Sequence, residues 1–531
     1  MTNLFKKTGF LTRTYLKKDW VILSGAIASL FALVVGVAAV LPNVYKSASS
    51  ISSIVQVLKQ PAMRAVIGIY HGGNSNGSLY ASLMILWVAL LGVIFAIIIG
   101  VRNTRSQEDS DLTELLLSRS IGRLALPMAS FLELFFLYVV TFITNFAGLT
   151  LLDIDGLSSS TALLFALSFS LVGLLFGTLT ILFAQLANTS SGANIMSYVA
   201  LLLSYMVVIV GSQKNNTDLL WLSPLGWLSK LSLTDKNSYL PVIVATIITI
   251  VLLIIALVLQ YKRDIGSGLL PKLPGRKKAS MFLRGFSSLA FRNQLTSLIV
   301  WAGILFSAGL AYGSVFKDIT KLASGNQLLM QMIAKQQDKM ILSFSFMILG
   351  IFAILATVPG LLHIFKIKSD ETKGYLELIH SKKVSRSQVF FTYGLIGMFE
   401  SFIVFVASVL GIYVAQVNMM KNPIPLEDFA RATLAFLPIM LVILTVGLIL
   451  VTYAPKLTNL IWLVLYYGFF VNYFGKLFKM PKWAMDASLF GLVKRSWDHP
   501  LSTNYMLIFV AISVVLLIVS LVRYQKRDLV Y

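Results

Sequence analysis

The sequence predicts an all-α polytopic membrane protein of twelve transmembrane helices. It predicts two six-helix repeats related by a pseudo-two-fold axis along the membrane normal. Three observations lead there. Apolar runs of about 18 residues or more recur along the chain, which a helix needs to cross a bilayer. Only 12% of the 531 residues are charged, about half the share in soluble globular proteins. A charged elbow, "SQEDSDLTELLLSRSIGR" at 106–123, also returns as "SDETKGYLELIHSKKVSR" at 369–386. An offset of 263 carries Ser106, Glu108, Glu114, Leu115, Ser118 and Arg123 onto Ser369, Glu371, Glu377, Leu378, Ser381 and Arg386. Strand spans would need short alternating segments, and the chain contains none.

The spans of the first half fall near 20–42, 80–101, 124–152, 161–187, 192–212 and 241–261. Those of the second fall near 297–315, 341–363, 389–418, 430–453, 457–474 and 504–523, the run at 457–474 being the shortest. An even number of spans per half gives both copies one topology. With the N-terminus in the cytoplasm, the cytoplasmic segments hold 27 of the 44 Lys and Arg residues. That excess fixes the orientation and leaves both termini cytoplasmic. The net charge of +22 is therefore a topology signal, and no nucleic-acid partner is expected. The basic, amphipathic "MTNLFKKTGFLTRTYLKKDW" lacks a small-residue cleavage site before Pro42 and reads as a retained cytoplasmic segment.

Two further motifs repeat. "KRD" closes the sixth span at Lys262–Asp264 and the twelfth at Lys526–Asp528; "SPLGWLSK" at 223–230 resembles "SLFGLVKR" at 488–495. The expected domains are a first half at 1–264, a basic linker at 265–290 and a second half at 291–531. The linker, rich in Gly, Pro and base, reads as a flexible tether. "LTRTYLKKDW" and "LAFRNQLTSL" begin the halves as amphipathic helices along the inner bilayer face. The segments 222–231 and 487–495 are too short to span, and read as re-entrant plugs of the outer exit or as surface strips. Trp221 and Trp227 read as interface anchors. The outer segment 43–79 has room for a short helix and a mobile tip at "HGGNSNGS".

Several chemistries are excluded. The chain has no cysteine, and its four histidines are scattered without ligand spacing. It holds no G-x-x-x-x-G-K-[ST] phosphate loop. No metal, no cofactor and no enzymatic activity are expected of this chain.

Each elbow starts a short amphipathic helix. Asp111 three residues before Glu114 has the spacing of a capping box, and Gly374 stands likewise before Glu377. Leu112, Leu115 and Leu116 form an apolar stripe at i, i+3, i+4, matched by Tyr375, Leu378 and Ile379. On one reading the elbows only turn the chain, with Arg123 and Arg386 anchoring the next spans. On the other they dock into a cytosolic partner, and a symmetric dimer would need two such plugs. Glu133 and Glu400, 10 and 14 residues past those arginines, are charges inside membrane spans. They either hydrogen-bond a neighbouring helix or line a translocation path. Asn145 reads as a bond between helices.

The elbow pattern, Glu, five residues, Glu-Leu, then Ser and Arg, resembles the coupling helix of type-2 ABC exporter permeases. The six spans, the amphipathic leading helix and the apolar segment before the last span fit as well, over essentially the whole chain. "KRDIGSGLLP" after the sixth span resembles the subgroup with both halves fused, described as exporters of polyketide-type antibiotics. The first elbow departs from that family at Asp111, where Gly is usual. The resemblance implies a permease subunit in a bacterial cell membrane, with ATP and Mg bound by a separate cytosolic ABC ATPase, a homodimer. The substrate implied is an amphipathic drug, antibiotic, lipid or peptide. ATPase coupling falls on Glu108, Leu112, Glu114, Leu115 and Arg123, and on Glu371, Tyr375, Glu377, Leu378 and Arg386. A different class, a proton-coupled twelve-span antiporter carrying protons on Glu133 and Glu400, also has two six-span halves. It leaves the elbows without a purpose.

Overall fold

A computed structural model describes the chain apart from residues 1–3, 46, 60–62, 65–66, 214–215, 265, 272–280, 316–336, 421–422, 475–479, 491–502 and 528–531. Every regular element among the described residues is helical. A backbone in lipid has no water to bond, and a helix satisfies its own polar groups. Eleven helices are long and apolar enough to cross a membrane. The eleventh expected span, 457–474, is helical over Leu460–Phe474, and the residues that follow, 475–479, lie outside the described residues. Eleven of the twelve expected spans are thus found among the described residues.

The chain divides into two compact units, Met1–Gly275 and Arg276–Tyr531. The first contains α1 (Thr8–Lys18), α2 (Trp20–Val44), α3 (Ala48–Leu58), α4 (Asn76–Arg102), α5 (Arg105–Asp109), α6 (Leu112–Leu117), α7 (Ala125–Leu151), α8 (Ser159–Leu186), α9 (Ser190–Gln213), α10 (Gly226–Lys230) and α11 (Leu240–Lys262). Helix α8 is its axis, with α4, α7, α9 and α11 packed around it. That is why its apolar residues run all the way round, unlike the single stripe of a surface helix. Tyr80 and Tyr138 are buried beside it and give their hydroxyls to the carbonyls of Val34 and Gly92 at 2.9 and 2.7 Å. A buried phenol needs such a partner.

At the end of the unit remote from the elbows, the "HGGNSNGS" stretch is packed, not a free tip. Ser75 caps α4 by accepting from the Ser78 amide, and the Gly77 amide donates to the Asp155 carbonyl at 2.8 Å. The segment at 222–231 enters the core: Trp227 is 6% exposed and gives its indole N–H to the Trp221 carbonyl at 2.8 Å. The interface-anchor reading of Trp227 is thus wrong, because a ring with a bonded N–H can be buried whole. Asn145 is buried but donates within its own helix, to the Thr141 carbonyl at 2.8 Å, rather than between helices. The linker does not begin as a loose tether. The amides of Leu269 and Leu270 donate to the carbonyls of Gln185 and Leu186, and Gly268 lies so close that a Cβ would meet the Ala187 backbone at 2.4 Å.

The second unit contains α12 (Phe286–Val315), α13 (Gln337–Thr372), α14 (Tyr375–His380), α15 (Arg386–Met419), α16 (Leu426–Tyr453), α17 (Leu460–Phe474), α18 (Lys482–Asp486) and α19 (Thr503–Lys526). Its core lies on α13 and α16, where Phe352, Phe429 and Phe436 are fully buried. The amphipathic stretch at 289–298 is not a separate helix here but the first turns of α12. In the first unit Asp19 separates α1 from α2, its carboxylate drawn to Arg102 at 2.9 Å and to the Asn103 amide at 2.6 Å. Of the re-entrant segment expected at 487–495, Ser488 and Phe490 are buried, and 491–495 lie outside the described residues. Helices α12 and α15 cross at small residues: a Cβ on Gly411 would stand 2.2 Å from the Phe306 carbonyl, and one on Gly309 2.3 Å from that of Ser408. Such contacts let backbones approach where no hydrophobic drive separates helix from lipid.

Both elbows break at one position. Asp111, before α6, has φ 57° and ψ 4°; Gly374, before α14, has φ 72° and ψ 5°. Neither helix has a side-chain cap, so the capping box read from the spacing is not formed. The position demands left-handed backbone, which glycine adopts freely and aspartate at moderate cost. Beyond each helix the same turn follows, Ile121 donating to Arg119 and Val384 to Lys382, both at 2.6 Å.

Two predictions follow from these close and left-handed positions. Gly374→Ala should cost about 1 kcal/mol in the second elbow, whereas Asp111→Gly should be neutral or stabilising. Hydrogen exchange of peptides covering 112–117 and 375–380 reads both. Gly411→Val should overpack the crossing with α12 and lower stability by about 1–3 kcal/mol, measured as thermal unfolding in detergent.

Candidate functional site

Helix α6 buries Thr113 and turns Leu116 and Leu117 toward Leu11, Tyr15, Ala125 and Leu126 of α1 and α7. Burial also raises the Tyr15 phenol above its ordinary pKa, and its hydroxyl donates to Gln107 at 3.0 Å. The opposite face of α6 is open: Leu112 is 47% and Leu115 64% exposed, and Glu114 and Ser118 are exposed beside them. Helix α14 repeats the arrangement. Leu376 is buried, while Tyr375 and Leu378 are 56% and 71% exposed next to Glu377. Large apolar side chains beside a carboxylate, presented twice at equivalent positions, form a surface that a protein partner can cover.

Glu108 and Glu371 stand apart from that surface. Glu371 is buried and the Glu108 side chain is only 8% exposed, each in an ion pair with an arginine just past the last helix of its own unit. Arg263, following α11, grips Glu108 with both terminal nitrogens, one at 2.9 Å from Oε2. Arg105 adds a third contact at 2.6 Å. Arg527, following α19, holds Glu371 through Nη2. Each of these arginines also reaches a third element. Arg263 Nε donates to Gln185 Oε1, at the end of α8, at 2.7 Å, and Arg527 Nη1 to the Val451 carbonyl of α16 at 2.8 Å.

Arg123 and Arg386 complete the joint through backbone. Arg123 donates to the carbonyls of Gln260, at 3.0 Å, and Arg263. Arg386 donates to those of Gln525 and Arg527 at 3.0 and 2.7 Å. The final carbonyls of a helix have no partner inside it, and these guanidinium groups supply one. The structure thus brings Glu108 with Arg123, and Glu371 with Arg386, around the end of the last helix. Leu112, Glu114 and Leu115, and Tyr375, Glu377 and Leu378, remain on the open face.

Glu133 and Glu400 are buried and hydrogen-bonded inside their own units. Glu133 Oε2 accepts from Asn103 Nδ2 at 2.6 Å, and that nitrogen also donates to Asp19. Asn103 Oδ1 accepts in turn from Lys18 and Gln107, both at 3.1 Å. Glu400 accepts from Gln294 at 2.7 Å and Ser297 at 3.0 Å, with Lys366 behind Gln294 at 2.7 Å. In both units a carboxylate on the helix after the elbow is held by polar groups of neighbouring helices. No group of three or more His, Cys, Asp or Glu able to hold a metal occurs among the described residues.

The family model described as "Multidrug efflux system permease Rv1217c, C-terminal domain" matches residues 22–260 and 283–525. The multidrug efflux system permease protein Rv1217c of Mycobacterium tuberculosis is 24% identical over 541 residues, covering 99% of this chain and 95% of that protein. Eleven membrane-length helices in two compact units, together with a match to most of the sequence, settle the class: this chain belongs to the Rv1217c C-terminal-domain family of efflux system permeases, and is a multi-pass membrane transport permease.

Proposed function

We propose that the chain is the membrane subunit of an ATP-driven exporter, moving amphipathic compounds outward across the cell membrane with both termini in the cytoplasm. The observation that carries this reading is the pair of open elbow faces, Leu112–Glu114–Leu115 and Tyr375–Glu377–Leu378, at equivalent positions of two units. Two equivalent plugs fit a two-fold ATPase, a homodimer that binds ATP and Mg and hydrolyses the nucleotide itself. Closure of that dimer on ATP displaces the elbows and switches the permease from inward to outward access. The permease relative is a multidrug efflux protein by its description. Together with the apolar character of this chain, that favours drug-like, antibiotic or lipid substrates over small ions. The fused organisation with "KRDIGSGLLP" supports a reading as an exporter of polyketide-type antibiotics.

The alternative, proton-coupled antiport through Glu133 and Glu400, is separated from this reading by experiment. Glu133→Gln with Glu400→Gln should leave ATP-dependent export in place if the two carboxylates only tie helices together, and should abolish pH-gradient-driven efflux if they carry protons. The elbow reading has its own test. Leu115→Asp and Leu378→Asp each put a charge where an apolar contact is expected, and burying it unpaired costs several kcal/mol. Both helices keep their buried faces, so insertion and thermal unfolding of the permease should be unchanged. Pull-down of a co-expressed ATPase encoded beside the permease should fall at least tenfold for the double variant, and full retention would rule out docking at these elbows.

A further inference from the structure

The exposed faces of the elbows account for docking, but not for how a push on a six-residue helix moves a membrane span. We propose that Arg263 and Arg527 are positioning residues that make the last helix of each unit travel with its elbow. The proposal rests on the elbows being the coupling surface, and its first readout needs no ATPase. An elbow is joined by the chain only to the helices on either side of it. The structure adds two further joints. The Glu108–Arg263 and Glu371–Arg527 pairs join the base of the elbow, at the ends of α5 and α13 just before the bend, to the ends of α11 and α19, and the same guanidinium groups reach the ends of α8 and α16.

Three features distinguish this arrangement from an incidental surface pair. Both partners of both pairs are buried, so water and salt screen them little. Arg123 and Arg386 grip the backbone of the same helix ends, so elbow and last helix are held from both sides of the elbow. The whole set also occurs twice, in units that fold around different residues: Gln185 in one place, a backbone carbonyl in the other. What is kept between the units is the connection of elbow acid to last-helix arginine. Glu108 and Glu371 are therefore spent inside the permease, and the partner meets only the residues on the open face.

The second unit is the cleaner place to test this, because Glu108 also touches Arg105. The variants are Glu371→Arg, Arg527→Glu and the exchange of both in the full chain. In purified permease without ATPase, each single variant should raise hydrogen exchange of 375–380 at least tenfold, and the exchanged pair should recover most of the protection. With the co-expressed ATPase, export of ethidium per ATP hydrolysed should fall at least tenfold in the single variants and recover in the exchanged pair, while ATPase pull-down persists throughout. A residue needed only for folding would lower yield and pull-down together and would not be rescued by exchanging charges. Should either reversal fail to insert, Arg527→Lys, which keeps the charge but loses the fork, should show intermediate exchange and an intermediate export ratio. Unchanged exchange in the single variants, or no recovery in the exchanged pair, overturns the proposal. Elbow protection that follows the ion pair in a permease binding no ATPase would keep the joint and remove the coupling reading instead.

Discussion

A carboxylate taken out of water beside a guanidinium is the interaction around which each unit is organised. Desolvating two charges costs several kcal/mol apiece, and only close, multiply bonded geometry offsets it. Glu108 meets that demand with Arg263 and Arg105, and Glu371 meets it with Arg527. The surrounding groups exist largely to complete the set: Gln260 and Gln185 accept the remaining donors of Arg263. Removing one partner would leave the other charge buried, at a cost of about 3–5 kcal/mol. The elbow, the last helix and the helix that carries Gln185 or Val451 near its end are therefore fixed together or not at all.

Around this joint the two units solve the same problem with different residues. The first uses a chain of amides, with Asn103 donating to Asp19 and Glu133 and accepting from Lys18 and Gln107. The second uses Gln294, Ser297 and Lys366 about Glu400. At the bend of the elbow, Asp111 and Gly374 occupy the same left-handed conformation. The departure from glycine in the first copy alters the residue and leaves the backbone unchanged. The strap that follows α11 fits the same picture. Arg105 donates to the Gly266 carbonyl at 2.9 Å; in "KRDIGSGLLP" Gly268 has no room for a side chain, and Gly266 stands in open space but at φ 83°, where glycine is favoured.

Much of the fold was legible in the sequence because the signals are long. Runs of about 20 apolar residues locate a span whatever the tertiary structure, and eleven of the twelve expected were found. The run at 457–474 is helical over Leu460–Phe474, where the described residues pause. The elbow's exposed stripe was legible from its i, i+3, i+4 spacing, although Leu116 and Ile379 proved to turn inward. The partner of Glu108 was not legible. The basic residues of "KRD" had a sufficient explanation in topology, and nothing local tells a pairing arginine from an anchoring one. The clue was arithmetic: elbow and "KRD" repeat at offsets of 263 and 264, so their separation is kept. Asp111 misled for a different reason, since a capping box and a left-handed turn share the same spacing.

The distance along the chain between the members of each pair has a consequence for biosynthesis. Glu108 and Arg263 are 155 residues apart, and Glu371 and Arg527 are 156 apart. At 5–20 residues per second, about 8–30 seconds of translation separate the appearance of the acid from that of its counterion. During that interval the elbow acid has no arginine from its own last helix and is best left in water. Each half can therefore seal its elbow only when its final helix has emerged, so the joint also marks completion.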